Sequence, residues 1–199
     1  MGIKIILYSL FCFFMPIFIY LFIFKRNRFK KRDFFYLLIF GGYIWSVFDV
    51  TGIGTLSDIV YAPKGGVESF WIQYLFVQAK PFYQLGRSFM LNVVMCVPFG
   101  LLLPVLFPRY RNILKAVGMG LLFSLFIEVT QLLNTRISDV DDLIANTLGT
   151  FIGFLVWKIG INRVVQLKEG LSIHPWQVIF LGYLGQCFLY FPFWFVQHF

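Results

Sequence analysis

Six long apolar runs restrict what this chain can fold into. They extend over roughly Ile3–Phe24, Phe34–Leu56, Phe89–Phe107, Ile113–Leu133, Leu143–Ile161 and Trp176–Val196. A helix needs about 20 predominantly apolar residues to cross a hydrocarbon core about 30 Å thick. Hydrophobic residues make up 59% of the 199 residues and charged residues 13%, which leaves too little polar surface for a water-soluble domain. We therefore predict an all-α polytopic membrane bundle of about six transmembrane helices, forming a single membrane domain over residues 1–199.

Basic residues are unevenly distributed between the loops, and this sets the expected orientation. Twelve of the 17 Lys and Arg residues occur in the loops after the first, third and fifth runs. The densest group comprises Lys25, Arg26, Arg28, Lys30, Lys31 and Arg32. Because basic loops are retained in the cytoplasm, we expect these three loops to be cytoplasmic and both termini to lie outside. Clustering beside an apolar run favours anionic membrane lipid, rather than nucleic acid, as the partner of this charge.

The longest loop, Ser57–Ser88, is expected on the outer side. It contains an aromatic stretch with Trp71 and Tyr74, and these two residue types favour the headgroup layer of a bilayer. Two interpretations of Val67–Ala79 remain open. It forms either an interfacial or re-entrant helix, or an ordinary loop on the membrane surface.

Polar side chains accumulate between Asn92 and Gly153, inside or beside the apolar runs. An ionisable group at the centre of a membrane helix costs roughly 2.5–3.5 kcal/mol on insertion scales. Such residues are generally kept for a partner or a ligand, so any specific function is expected here. The candidate ligand-binding residues are Asn92, Glu128, Gln131, Arg136, Asp139, Asp141, Asp142 and Asn146. In the expected orientation, the four carboxylates among them fall on the outer side.

The spacing of these residues places several of them on common helix faces. Asp139, Asp142 and Asn146 follow an i, i+3, i+7 pattern, which Gly149 and Gly153 extend along the same stripe. Small residues four apart allow two membrane helices to approach closely. We favour this packing role for the two glycines, and the same stripe also suits a homo-oligomer interface.

Arg136 is the one basic residue between these acids. Its planar guanidinium can form an ion pair with Glu128 or Asp139, or bind a phosphate in a bidentate manner. Either Asp139 or Asp141 is also expected to cap a helix, because a carboxylate there accepts hydrogen bonds from free backbone N–H groups.

Pro98 and Gly100 are expected to interrupt the third helix, because proline removes a backbone donor. The resulting kink either borders a cavity or is purely structural. The three cysteines, Cys12, Cys96 and Cys187, lie in apolar runs without metal-ligand spacing. Buried, inert thiols are therefore expected, and we predict neither a metal site nor a cofactor.

At these residues the sequence resembles the VanZ-like family of bacterial membrane proteins. The matching segments are Lys80–Phe82, Asn92 with Val97–Gly100, Glu128–Gln131, Arg136 with Asp139–Asp142, and Asn146–Gly149 with Gly153. These segments form a core over about residues 80–158. Their order and spacing together are more specific for the family than any one segment. The resemblance implies a multi-pass protein of the cytoplasmic membrane, mostly in Gram-positive bacteria. It also implies a role in low-level resistance to teicoplanin, a lipid-bearing glycopeptide antibiotic.

The leading functional hypothesis is a non-enzymatic protein that binds an amphiphile at the outer leaflet. The ligand is expected to be a polyprenyl-phosphate cell-wall intermediate or a lipoglycopeptide. Arg136, Asn92 and Asn146 would contact its polar headgroup, and the acidic residues would orient Arg136 or bridge through a cation.

Two alternatives remain open. In the first, the protein is a membrane enzyme that acts on a lipid-linked phosphate, with acidic residues as acid–base groups or metal ligands. In the second, it is a transporter or flippase for a lipid carrier, driven by protonation of Asp49 or Glu128. The two histidines, His174 and His198, lie outside the polar cluster, which does not support a Ser/His/Asp catalytic triad.

Overall fold

The computed structural model describes residues 3–25, 30–56, 58, 86–133, 139–162 and 170–190. Regular structure within these ranges is helical, and no strand occurs in them. The α-helices are α1 (Ile3–Phe24), α2 (Lys31–Thr51), α3 (Arg87–Leu106), α4 (Ile113–Gln131), α5 (Val140–Val156) and α6 (Pro175–Phe188). The predicted all-α fold is confirmed.

Five of these helices, α1 to α5, are long and apolar enough to cross a membrane, with α5 counted through Gly160. The sixth helix, α6, has 14 residues and ends at Phe188, with Leu189 as its C-cap. The part of the predicted run beyond Tyr190 lies outside the described residues. The predicted interfacial or re-entrant segment Val67–Ala79 also lies outside them.

Most helices have an end that differs from the predicted apolar run, and two of these differences have a clear physical cause. Helix α2 ends at Thr51, five residues before the predicted end. Gly52 adopts a left-handed φ of 57° there, and its N–H caps the helix by donating to the carbonyl of Phe48. Helix α5 begins three residues earlier than predicted, because the Asp139 side chain accepts a hydrogen bond from the backbone N–H of Asp141 at 2.9 Å. Asp141 therefore lies in the first helical turn rather than in a preceding loop.

The described helices form two compact units. The first contains α1, α2 and α6. In it α1 and α6 are in direct contact, since a Cβ added at Gly185 would meet the backbone carbonyl of Cys12. All three cysteines are buried, as their positions in apolar runs predict.

The second unit contains α3, α4 and α5, and the packing of α3 against α5 dominates it. Added Cβ atoms at Gly149 and Gly153 would collide with backbone carbonyls of α3, those of Val93 and Val97. The two glycines therefore lie where the backbones of α3 and α5 are in direct contact. A Cβ added at Gly100 of α3 would likewise collide with the backbone carbonyl of Thr150 on α5.

Helix α3 continues through Pro98 and Pro104, so it is not interrupted at Pro98 as the sequence suggests. On its other side, the stacked rings of Phe99 and Phe123, with centroids 4.6 Å apart, join α3 to α4. The three helices therefore share one apolar core.

Gly153→Ala is expected to destabilise the second unit by about 1–3 kcal/mol, because the new methyl group must separate two helix backbones. Gly118→Ala is the matched control, since a Cβ there has no neighbour within 4 Å. It is expected to leave stability unchanged or raise it by up to about 1 kcal/mol. Unfolding in detergent measures both variants, and equal stability of the two would contradict the close approach of α3 and α5.

Candidate functional site

The second unit brings polar residues from three helices together at one end of α5. The Asn92 side chain on α3 donates from Nδ2 to Oδ1 of Asp142, at a distance of 2.6 Å. Hydrogen bonds to an ionised acceptor are shorter and stronger than neutral ones. This bond therefore ties the N-terminal part of α3 to the first turn of α5.

Glu128 makes the second connection, from the last turn of α4. Its Oε2 accepts a hydrogen bond from the backbone N–H of Asp139 at 3.0 Å, and the side chain is only 7% exposed. Asp139 is in turn the N-cap of α5. We call the four residues Asn92, Glu128, Asp139 and Asp142 the polar network.

The position of the acidic residues at the start of α5 has a physical reason. The first turn of a helix presents unpaired N–H groups and a partial positive charge, both of which stabilise carboxylates. Asp141, which is 1% exposed, and Asp142 lie in that turn. The N-terminal end of α5 therefore offsets part of the electrostatic repulsion between the neighbouring carboxylates.

A separate set of hydrogen bonds lies deeper in the unit, around Asn146. Its Nδ2 donates to Oγ of Ser124 at 3.0 Å, and its Oδ1 accepts from the thiol of Cys96 at 3.3 Å. Thr150 Oγ1 donates to the Asn146 carbonyl. These side chains are buried, and an unpaired amide in hydrocarbon would be costly. Asn146 therefore joins α3, α4 and α5 through their side chains.

The structure brings together most of the candidate residues predicted from the sequence. Asn92, Glu128, Asp139 and Asp142 form the polar network, and Asp141 lies beside it. Gln131 is buried in the last turn of α4, at 5% exposure. Asn146 lies in the deeper set, and Arg136 lies outside the described residues.

Sequence reasoning missed Ser124 and the role of Cys96. Ser124 precedes Glu128 by four residues on α4, so the two share a helix face. That spacing is the signal that would have identified it. Cys96 has no such signal, because its partner Asn146 is 50 residues away in the chain.

The polar network and its surroundings are rich in oxygen acceptors. Four carboxylates, those of Glu128, Asp139, Asp141 and Asp142, lie at the junction of α4 and α5. Within the described part of the chain, no group of three or more His, Cys, Asp or Glu side chains is arranged to hold a metal ion. The hydrogen bonds that these carboxylates accept include those from backbone N–H groups at the start of α5 and from the Asn92 side chain.

Helices of membrane-spanning length, joined by buried polar side chains, define an α-helical polytopic membrane protein. Comparison with known proteins makes the assignment more specific. The VanZ/LLP1 family model matches residues 5–162, and the chain belongs to this family. The match begins in α1 and so extends well beyond the core over residues 80–158.

One relative is Protein VanZ of Enterococcus faecium, which is 33% identical over 107 residues. The alignment covers 52% of this chain and 63% of that protein, slightly less than two thirds of its length. No solved structure matches this chain significantly.

A double-mutant cycle on Asn92 and Asp142 is expected to show coupling. Side-chain hydrogen bonds between membrane helices contribute about 0.6 kcal/mol on average and up to about 1.7 kcal/mol. We expect a value near the upper end, because the bond is short and its acceptor is a carboxyl oxygen. Unfolding of Asn92→Ala, Asp142→Ala and the double variant in detergent measures it, and strictly additive effects would show that the bond contributes nothing.

Proposed function

We propose that this protein is a non-enzymatic member of the VanZ/LLP1 family that binds an amphiphile at the outer leaflet of the bacterial cell membrane. Its ligand is a polyprenyl-phosphate cell-wall intermediate or a lipoglycopeptide. By binding that ligand, the protein contributes to teicoplanin-type glycopeptide resistance. The sequence resemblance to the VanZ-like family supports the last step.

The observation that carries this proposal is an apolar groove beside the polar network, in the same unit. Its volume is about 370 Å³, and its lining includes Leu121, Leu143, Ile144, Leu148 and Phe151. The groove begins close to the network, because Leu143 donates its backbone N–H to the carbonyl of Asp139. A polar end followed by an apolar channel matches the two parts of an amphiphile.

Helix geometry supports placing the polar network on the outer side. Arg109, Arg111 and Lys115 lie at or just before the start of α4, whereas Glu128 lies in its last turn. At about 1.5 Å per residue, Lys115 and Glu128 are separated by about 20 Å along the axis. Since basic segments are retained in the cytoplasm, the end that carries Glu128 faces outward.

Arg136 supplies the charge that an anionic headgroup requires. It belongs to the segment that links α4 to α5, between residues whose carboxylates form part of the polar network. A guanidinium can bind one phosphate through two parallel hydrogen bonds. In this proposal Glu128 and Asp139 hold the ends of that segment, and Arg136 contacts the ligand.

Arg136→Ala and Glu128→Gln are expected to abolish most of the teicoplanin protection that the intact protein gives to a susceptible Gram-positive host. Ser46→Ala is the matched control. It removes a hydroxyl from α2, in the first unit, that donates to the carbonyl of Tyr43 in its own helix, and it should keep full protection. Minimal inhibitory concentrations, at membrane levels matched by immunoblotting, measure the effect.

Vancomycin, which lacks a lipid chain, tests the amphiphile requirement in the same strains. We expect little protection against it, because the apolar groove then has no occupant. Equal protection against both antibiotics would contradict binding through the groove. Full protection by Arg136→Ala at unchanged membrane levels would exclude the polar end as the binding site.

A further inference from the structure

The first unit contains a cavity that the proposed function does not use. Its volume is about 210 Å³, and it lies where the end of α2 meets α1 and α6. A cavity needs only about 10–15 Å³ of such volume to hold a single water molecule. Polar residues contribute much of its lining: Ser9, Trp45, Asp49, Asp58, Gln186 and Tyr190.

Three neutral residues form a wall whose hydrogen bonds hold it in place. The indole N–H of Trp45 donates to Ser9 Oγ at 2.9 Å. Gln186 donates from Nε2 to the Ser9 carbonyl at 2.8 Å, and its Oε1 accepts from Ser9 Oγ at 3.4 Å. Ser9 and Gln186 are buried. This wall therefore joins all three helices and fixes the position of the Trp45 ring.

The charges at this cavity are negative. Asp49 and Asp58 line it, and its described lining includes no Lys, Arg or His. Asp49 follows Trp45 by four residues on α2, so the carboxylate and the indole share a face. It forms neither a hydrogen bond nor an ion pair with any other residue that the structure describes.

The end of helix α2 adds to this negative potential. Asp49 lies in its last turn, two residues before Thr51, where the helix ends. The C-terminal end of a helix carries a partial negative charge, which favours cations and disfavours carboxylates. Asp58 fixes the segment that follows, because its Oδ2 accepts from the backbone N–H and the hydroxyl of Thr55 at 2.7 and 2.8 Å. The helix end therefore makes the exposed Asp49 carboxylate a favourable partner for a cation in the cavity.

We propose that this cavity binds an organic ammonium group. Asp49 and Asp58 neutralise its charge, and the rings of Trp45 and Tyr190 contact its alkyl periphery through cation–π attraction. Aromatic rings beside carboxylates suit an ammonium carrying carbon substituents better than a small, strongly hydrated metal ion, which prefers a shell of oxygen ligands. The group belongs either to a lipid headgroup or to a free amine.

The proposal is tested by calorimetric titration of tetramethylammonium into the full-length protein in phosphatidylglycerol nanodiscs. A titration with sodium chloride at equal ionic strength is the reference. We expect saturable binding. Asp49→Asn should weaken it roughly tenfold, the scale expected for one ion pair reinforced by cation–π contact. Asp49→Glu, which keeps the charge, should restore most of the affinity.

Asp33→Asn is the charge-matched control, since it removes one negative charge from the first turn of α2, at the other end of the helix from Asp49. It should bind tetramethylammonium like the unsubstituted protein. No saturable binding in phosphatidylglycerol, or equal weakening by Asp33→Asn and Asp49→Asn, would overturn the proposal. Loss of teicoplanin protection is not a readout here, so failure of this site and failure of the amphiphile site are distinguishable.

Nanodiscs that contain phosphatidylethanolamine or phosphatidylcholine distinguish the two sources of the ammonium group. If a lipid headgroup is the natural occupant, these lipids compete and suppress the tetramethylammonium titration. If a free amine is the occupant, the titration is the same in all three lipids. Either result supports an ammonium site, provided that Asp49→Asn binds more weakly in phosphatidylglycerol.

Discussion

The close approach of α3 and α5 is the constraint on which the rest of the second unit depends. Gly149 and Gly153 bring the two backbones into contact at Val93 and Val97. The residues next to these contacts are the ones that form polar bonds. Asn92 reaches Asp142, and Cys96, whose Cβ is 3.0 Å from a Cβ added at Gly149, reaches Asn146. A larger residue on this stripe would separate both pairs.

Polar residues in hydrocarbon need partners inside the protein, and this chain provides them in two layers. The deeper layer gives the Asn146 amide one partner for its nitrogen and one for its oxygen, and it joins three helices. The other layer combines carboxylates with the start of α5 and with Asn92. In the proposed function the deeper layer is structural and the other layer contacts the ligand.

Much of this arrangement could be predicted from the sequence. Hydrophobic runs predicted the positions of the helices, and the helical spacing identified the face of α5 that carries Asp142 and Asn146. Asp139, which the same spacing included, is the N-cap of α5 and not part of that face. The role of Asn146 could not be predicted. Sequence spacing places it on the same stripe as the aspartates, but only the packing shows that its amide is occupied by Ser124 and Cys96. The apolar run placed the start of α5 three residues too late, whereas the helix cap expected at Asp139 or Asp141 indicated the earlier start.

The central claim is that the polar network lies at the outer surface of the membrane. The most direct test is to measure which side of the membrane this end of the helices faces. Single cysteines at Asn134, between α4 and α5, and at Asn112, the N-cap of α4, can be labelled with a membrane-impermeant maleimide in intact cells. The three native cysteines are buried, so the unsubstituted chain provides the background. The account predicts labelling at position 134 and protection at position 112 until the cells are lysed. Labelling at position 112 with protection at position 134 would contradict it.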